Sequence, residues 1–184
     1  LIDIILCFPL MLVLIVAFPI LTFITLIDVG MPIFFWQQRS GWLGKPFLLY
    51  KFRTLSRPIS ADGSILNDQQ RMSSIGAFMR KTRLDELPQL LSVFAGDMSL
   101  IGPRPLLPRD EPSDYRRRLS IRPGLTGWAQ VHGNNLLTPE ERNSLDCWYV
   151  DNASIIIDSK ILLKTIVVVI NGIHRDEDVI RSCK

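Results

Sequence analysis

Two adjacent carboxylates, Asp85 and Glu86, stand in the leucine-rich segment TRLDELPQLL, just ahead of Pro88. Neighbouring carboxylates repel each other unless a cation lies between them. Nearby segments supply cations that suit phosphate, because arginine binds phosphate through paired N–H groups and lysine binds it as a point charge. These cations are Lys51, Arg53, Arg80, Arg83, Arg104 and Arg122. The residue types therefore suit a phosphate site in which the acids bind a divalent metal.

The acidic pair also has a purely structural interpretation. Leucine and phenylalanine recur at helical spacing from Leu84 to Phe94, which predicts a helix. Pro88 is tolerated in a first helical turn, where its missing N–H needs no partner. Acids at a helix start interact favourably with the helix dipole. Asp85 and Glu86 are therefore placed at a helix N-terminus whether they cap the helix or perform chemistry.

The elements that must position this pair are predicted from their periodicity. Residues 33–36 and 47–53 are apolar runs on either side of the turn RSGWLGKP, which predicts a β-hairpin. Lys51 and Arg53 occupy alternate positions of its second strand and so face one side, either as ligand contacts or as a solvated sheet face. A helix is predicted over residues 69–82.

Two segments rich in glycine and proline follow the acidic pair. GDMSLIGPRPLLP is without periodicity and is predicted to be a structured loop, in which two prolines fix the approach of Arg104. RPGLTGWAQVHGNN is predicted to be a second loop. There Arg122 and Gly124 are candidates for a nucleotide pocket, and an ordinary structural loop is the alternative.

The last third of the chain is predicted to be mainly helical. Thr138 and Glu141 have the spacing of a capping box, with Pro139 at the first helical position. Residues 154–170 form an apolar band that stops at Asn-Gly, a helix C-cap signal, although the many β-branched residues leave a strand open. We expect the apolar C-terminal helices to lie near a bilayer surface.

The N-terminal segment suits a membrane. Residues 1–27 are apolar apart from Asp3, and at about 1.5 Å per residue they are long enough to cross a hydrocarbon core. A simple transmembrane helix is one interpretation of this length, but Pro19 disfavours helical geometry at Phe18, so we expect a membrane break at this pair and a re-entrant helix-break-helix. The predicted division is a membrane segment of residues 1–30 and a catalytic domain of residues 31–184. We also expect a longer native N-terminus.

Composition excludes several functional classes. The net charge of +3 is too small to indicate nucleic-acid binding. The sequence also has no basic run interleaved with aromatic residues, which single-strand binders require. The three cysteines are scattered, without a C-x-x-C pair, which argues against a disulfide framework or a structural zinc site. A reducing, cytosol-facing domain is the expectation.

Three stretches, taken together, resemble one family. LYKFRTL, RLDELPQLLSVFAGDMSLIGPRPL and RPGLTGWAQVHGNN follow a single N-terminal hydrophobic segment, in this order. The chain thereby resembles the bacterial sugar transferase family, the monotopic phosphoglycosyl transferases. The resemblance departs from the family pattern at Phe18, where a small polar residue is usual, and at His132. It implies an α+β fold with a small irregular domain on the cytoplasmic face of the bacterial inner membrane.

The resemblance also implies a reaction. Such enzymes use Mg²⁺ and a carboxylate dyad to transfer a sugar 1-phosphate from a nucleotide diphosphate sugar, mostly a UDP-sugar, to polyprenyl phosphate. Asp85 would be the nucleophile and would form a covalent phosphosugar-aspartyl intermediate, and Glu86 would position the metal or assist proton and charge management. The implied substrate-binding residues are Lys51, Arg53, Arg83, Arg104, Arg122, Gly124 and Gln130. The implied role is the first membrane step of lipopolysaccharide, exopolysaccharide or glycoprotein glycan assembly; homo-oligomerisation is left open.

Two other functions are consistent with the same residues. A metal-dependent phosphohydrolase acting on a membrane lipid would turn over with water alone, whereas the transferase needs polyprenyl phosphate. A non-enzymatic, membrane-anchored interaction domain would bind neither donor nor Mg²⁺, so neither ligand would shift its thermal stability.

Overall fold

The structure is a computed structural model that describes residues 2–59, 64–113 and 115–183. Helices and short strands are mixed, as the sequence predicts. The helices are α1 (Ile2–Val29), α2 (Asp68–Arg71), α3 (Ser74–Lys81), α4 (Leu90–Ala95), α5 (Tyr115–Arg118), α6 (Trp128–Val131), α7 (Pro139–Asn152), α8 (Ile155–Asn171) and α9 (Glu177–Ser182). The strands are β1 (Phe34–Ser40), β2 (Pro46–Phe52), β3 (Ser99–Ile101) and β4 (Gly124–Thr126). Short 3₁₀ helices span Trp42–Gly44, Leu84–Gln89, Pro108–Asp110 and Asn134–Leu136.

The predicted hairpin is confirmed. Strands β1 and β2 pair antiparallel, with Phe35 opposite Lys51 and Arg39 opposite Phe47. Paired residues lie on the same face of a sheet, so Arg39 and Lys51 share the face that buries Leu49 in the core. Arg53 lies one residue beyond the end of β2, and the predicted alternation with Lys51 therefore does not extend to it.

The structure has a second small sheet in place of the two predicted loops. Strand β3 from GDMSLIGPRP pairs in parallel with β4 from RPGLTG. The backbone N–H of Gly102 donates to Thr126 O at 3.0 Å, and that of Gly124 donates to Pro103 O at 2.8 Å. A Cβ on Gly124 would overlap the backbone of Gly102. The expectation of structured loops is thus corrected, because three-residue strands are too short to show a period of two.

The helix predicted over residues 69–82 is also corrected, since two helices occupy this range. Asn67 caps α2 and accepts from Gln70 N, whereas Ser73 caps α3 and accepts from Gly76 N. Each cap requires an extended residue at its own position, so the second cap interrupts the helix at Met72 and Ser73.

The other helix predictions agree with the structure in type. The capping box at Thr138 opens α7. Residues 155–171 form α8, which excludes the strand alternative, and Gly172 follows as its C-cap. Exposed aliphatic side chains lie along α8, among them Ile155, Leu163 and Ile170.

The main core lies between the hairpin, the second sheet and helices α1, α4, α6, α7 and α8. It contains Leu14 of α1, Leu49 of β2, Leu90 of α4, Leu100 of β3 and Ile161 of α8, all nearly fully buried. Burial of this kind provides most of the stabilisation of a domain. The core therefore holds the dyad-bearing segment against both the hairpin and the GPRP segment.

Helix α1 is continuous, so the structure does not divide it at Phe18 and Pro19 as predicted. Both Pro9 and Pro19 lie inside the helix, since an interior proline removes one hydrogen bond and need not end a helix. The stretch Pro9–Val29 has a mean hydropathy of 2.9 and is long and apolar enough to cross a membrane. The re-entrant path stays a prediction, as does the domain boundary at residue 30.

Three parts of α1 contact the rest of the chain. Near its start, the Asp3 carboxylate accepts from Ser99 Oγ at 2.8 Å and from Leu100 N at 3.1 Å. In its middle, Phe18 packs on the rings of Phe34 and Phe52 in the hairpin. At its end, Asp28 accepts a hydrogen bond of 2.6 Å from Ser73 Oγ. Helix α1 is thus docked along its length.

Candidate active site

The acidic pair follows a residue whose backbone is in the left-handed region. Arg83 has φ 61° and links the end of α3 to the 3₁₀ helix that contains Asp85 and Glu86. A non-glycine residue in this region is uncommon, and such residues cluster at functional sites. The turn places both acids in the first turn of the 3₁₀ helix, as predicted, with Pro88 in its second half.

Glu86 is neutralised by two cations. Its Oε1 accepts from Lys51 Nζ at 2.5 Å, and Arg83 Nη1 lies 3.4 Å from the same oxygen. Burial acts to raise the pKa of Glu86, but Lys51 and Arg83 outweigh it and hold the pKa below its usual value. Glu86 is therefore ionised and engaged on the cationic side of the site.

Asp85 has the opposite environment. Its side chain is buried, and Oδ1 has no hydrogen-bond partner among the described residues. Burial and the neighbouring Glu86 raise the pKa of Asp85 to about 6, against the pull of Lys51, Arg80 and Arg83. The two carboxylates are thus differentiated: Glu86 is paired, whereas Asp85 keeps a free oxygen and is still mostly ionised at neutral pH.

Arg104 extends from the segment between β3 and the next 3₁₀ helix into this site. Its guanidinium donates a short hydrogen bond to the Oδ1 atom of Asn134. Burial lowers its pKa, and Glu86 opposes that shift. Asn134 has φ 47°, which is a conformation that asparagine tolerates better than most residues.

Two cavities meet at the dyad. The first, of about 310 Å³, is largely apolar and extends between Leu10 of α1 and Leu162 of α8. The second, of about 730 Å³, is lined by many basic residues and by Asp85. Both cavities share one wall, formed by Arg39, Lys51, Arg83, Glu86, Arg104 and Val168. A ligand in either cavity would contact the same group of cations.

The structure separates the predicted substrate-binding residues into two groups. Lys51, Arg83 and Arg104 line both cavities, and Gln130 and Gly124 line the apolar one. The Oε1 atom of Gln130 is buried, with no partner in the described part of the chain.

Two of the predicted contacts have other partners. Arg53 lines the basic cavity, but its guanidinium donates to the carbonyls of Val29, Gly30 and Met31 at the end of α1. Arg122 lies over the ring of Trp42, 5.8 Å from its centroid, and lines neither cavity. The structure therefore does not bring Arg122 to the dyad.

Sequence reasoning missed two residues of the site. Arg39 lines both cavities and donates to Pro105 O at 3.3 Å, next to Arg104. The hairpin register pairs Arg39 with Phe47 and Lys51 with Phe35, so counting outward from the turn would have found it. Asn134, the partner of Arg104, gave no such signal because its role depends on a contact 30 residues away in sequence.

The site fits a magnesium ion of the kind that binds with a substrate. Among the described residues no group of three or more His, Cys, Asp or Glu could hold a metal by itself. Magnesium is commonly held by one or two carboxylates, with phosphate oxygens and water as the other ligands. The unpartnered Oδ1 of Asp85, beside Glu86, provides such a partial ligand set.

Comparison with known proteins assigns this arrangement to a family. The chain matches the family model described as bacterial sugar transferase over residues 1–172, and it belongs to that family. It is 46% identical over 158 residues to the uncharacterized sugar transferase EpsL of Bacillus subtilis, covering 83% of this chain and 78% of that protein.

Two further relatives are named for their reactions. One is an undecaprenyl-phosphate galactose phosphotransferase of Salmonella typhimurium, 39% identical over 77% of this chain and 34% of the relative. The other is a UDP-glucose:undecaprenyl-phosphate glucose-1-phosphate transferase of Xanthomonas campestris, 35% identical over 74% and 31%. The chain spans about a third of each. The family match confirms the resemblance seen in the sequence. Because this family consists of phosphoglycosyl transferases, the chain is an enzyme.

Proposed function

We propose that this chain transfers a sugar 1-phosphate from a nucleotide diphosphate sugar to polyprenyl phosphate in two steps. A carboxylate oxygen of Asp85 attacks the phosphorus next to the sugar. The bond to the nucleoside monophosphate breaks, and that nucleotide leaves with the bonding electrons. A phosphate oxygen of the polyprenyl phosphate then attacks the aspartyl phosphorus, which forms the lipid diphosphate sugar and regenerates the Asp85 carboxylate.

The contrast between the two acids is the observation that favours Asp85 as the nucleophile. A nucleophile needs an ionised oxygen that no cation or donor occupies, and Asp85 Oδ1, although buried, is without a partner among the residues described. Glu86 is held by Lys51 at 2.5 Å and by Arg83, which lowers its nucleophilicity. Environments that drive two carboxylates apart in pKa commonly assign them different roles.

The basic cavity suits the donor. Its volume of about 730 Å³ lies within the usual range for small-molecule sites. A nucleoside diphosphate is strongly anionic, and the lining includes Arg71, Arg80 and Lys81 besides the cations of the shared wall. Phosphoryl transfer depends mainly on positioning and on charge neutralisation. The names of relatives such as the UDP-glucose transferase support a UDP-sugar as the donor.

The apolar cavity suits the acceptor. It lies beside Leu10 of α1 and Leu162, Val168 and Val169 of α8, the two helices with the most exposed apolar surface. An isoprenoid chain could enter between these helices while its phosphate meets Lys51 at the shared wall. Both substrates would then present phosphate to Asp85 from opposite sides of one group of cations.

Mg²⁺ is proposed as the cofactor, with Asp85 and Glu86 as its ligands. When bound, it would neutralise charge on the donor diphosphate. Lys51, Arg83 and Arg104 of this chain would orient the same phosphates. In the cell, we place the reaction at the first membrane step of glycan or polysaccharide assembly.

We propose that α1 is re-entrant and that the catalytic part lies on the cytoplasmic face of the inner membrane. A helix of 28 residues is about 42 Å long. Near its start, Asp3 accepts hydrogen bonds from Ser99 and Leu100. Near its end, Asp28 accepts one from Ser73, and Arg53 donates to the carbonyl of Gly30, which follows the helix. Contacts of both ends with one domain support entry and exit on the same side of the bilayer, which further requires a bend at Phe18 and Pro19 that the continuous α1 of this structure does not show.

Covalent labelling tests the proposed reaction. Purified protein is incubated with Mg²⁺ and a UDP-sugar labelled in the phosphate next to the sugar, without polyprenyl phosphate. We expect wild type and the control Asp178→Asn, an exposed acid of α9, to retain label after denaturation. Asp85→Asn should retain none. Product formation by a wild type that never labels would establish direct displacement, and label lost to water without acceptor would favour a hydrolase.

A further inference from the structure

A buried ion pair lies behind Arg104, outside both cavities. Arg118 at the end of α5 and Asp146 in α7 are fully buried, and Arg118 Nε donates to Asp146 Oδ2 at 2.9 Å. The Nη1 atom of Arg118 donates to Oε2 of the buried Glu111 at 2.8 Å. One guanidinium thus bridges the segment after the GPRP motif to α7.

The same pair holds the backbone of Arg104. The third nitrogen, Nη2 of Arg118, donates a short hydrogen bond to the Arg104 carbonyl. Burial raises the pKa of the Asp146 carboxylate, and the backbone N–H of Arg104 is among the groups that oppose this rise. Pro103 and Pro105 have no backbone N–H, so Arg104 has the one amide donor of this tripeptide. The carbonyl of Arg104 is therefore held by this buried pair, and its N–H lies within electrostatic reach of the same pair.

The arrangement is specific in a way that general stabilisation does not require. Buried ion pairs contribute little net stability compared with apolar residues of similar volume. Here the buried charges bind the backbone of Arg104, whose side chain reaches the wall shared by the two cavities. There Asn134 accepts a hydrogen bond from the Arg104 guanidinium. Arg104 is thus held at its backbone and at its tip.

We propose that Arg118 and Asp146 are positioning residues for the transfer reaction, which they affect by holding Arg104 in place. The inference rests on the proposed function, in which the Arg104 guanidinium orients the donor diphosphate. Misplacement of such a group by about 1 Å can lower the rate on the order of a hundredfold. We therefore expect the substitutions to act mainly on kcat.

The test is a double-mutant cycle on transferase activity with a UDP-sugar and polyprenyl phosphate. Asp146→Asn keeps the side-chain shape and removes the charge, and Arg118→Lys keeps the charge and loses the three-way bridge. Each should lower kcat/KM by about tenfold or more in the wild-type background. In an Arg104→Lys background, each should lower it by less than about twofold, because the group that they position is already lost.

The chain offers a matched control. Arg117 and Asp151 form an ion pair between the same two helices, α5 and α7, but at the surface. Arg117→Lys and Asp151→Asn should leave kcat/KM within about twofold of wild type, since exposed pairs contribute little. Melting temperatures of all variants report folding, and where Asp146→Asn does not fold, Arg118→Lys decides the cycle.

The outcomes separate the inference from the function on which it rests. Equal losses in the wild-type and Arg104→Lys backgrounds would show that the buried pair acts through general stability, and would overturn the positioning role. If Arg104→Lys alone left kcat/KM unchanged, the proposed role of Arg104 itself would be wrong. A wild type that transfers no sugar phosphate would refute the function as a whole.

Discussion

Replacing Asp85 with asparagine should stabilise the protein while it abolishes the chemistry. Burial and Glu86 raise the pKa of Asp85 from 3.8 to about 6. The folded state therefore binds this proton more tightly than the unfolded state, so stability is lost as pH rises from about 4 to 6. The pKa of Asp85 is thus about two pH units higher in the folded state than in the unfolded state, and each unit corresponds to about 1.36 kcal/mol. Ionised Asp85 therefore destabilises the fold by about 3 kcal/mol above pH 6. Asp85→Asn removes this cost.

The assay is thermal unfolding of detergent-solubilised protein with EDTA, so that no metal compensates the charge. For a chain of this length, about 3 kcal/mol corresponds to roughly 6–12 °C in melting temperature. We expect Asp85→Asn to melt higher than wild type by up to this amount at pH 8. The difference should shrink between pH 6 and 4, because both states of the wild type become protonated there.

Glu86→Gln is the matched control, and the opposite sign is expected. Lys51 and Arg83 hold the pKa of Glu86 below its usual value, so its charge stabilises the fold at neutral pH and that stability is lost as pH falls through the lowered pKa. Glu86→Gln also leaves Lys51 without its partner at 2.5 Å. It should lower the melting temperature at pH 8. An Asp85→Asn variant less stable than wild type at pH 8, or stabilised equally at pH 4, would refute the burial argument.

Four further results follow from the structure. Arg104→Lys keeps the charge but loses the planar fork, so kcat/KM should fall tenfold or more; unchanged kinetics would assign Arg104 a structural role. Covalent labelling should fall as the pH drops below the pKa of Asp85, because the attacking carboxylate must be ionised, and the fall should lie below pH 6 because bound Mg²⁺ lowers that pKa; labelling that increases as the pH falls would contradict this. Gly124→Ala should lower the melting temperature, since a Cβ would overlap the Gly102 backbone; an unchanged melting temperature would show that the sheet can yield. A cysteine placed ahead of Leu1, with the three native cysteines replaced, should resist an impermeant thiol reagent in intact cells, and labelling from outside would establish a spanning helix.

The local parts of this fold could be predicted because their signals are short-range. The caps of α7 and α8, the hairpin and the helix start at Asp85 each depend on residues within a few positions of one another. The second sheet could not be predicted in this way, since β3 and β4 are three residues each and are paired across more than twenty residues of chain.

The candidate site likewise has features that the sequence indicates and features that depend on tertiary structure. The sequence alone identified residues whose types suit a phosphate site: the adjacent acids, Lys51, and an arginine between two prolines. Only the tertiary structure decided that Glu86 is paired while Asp85 Oδ1 has no partner in the described part of the chain, that Arg39 joins the site, and that Arg122 does not. The reason is physical: residue type is a local property, whereas burial, pairing and pKa depend on which distant segments pack together around the side chain.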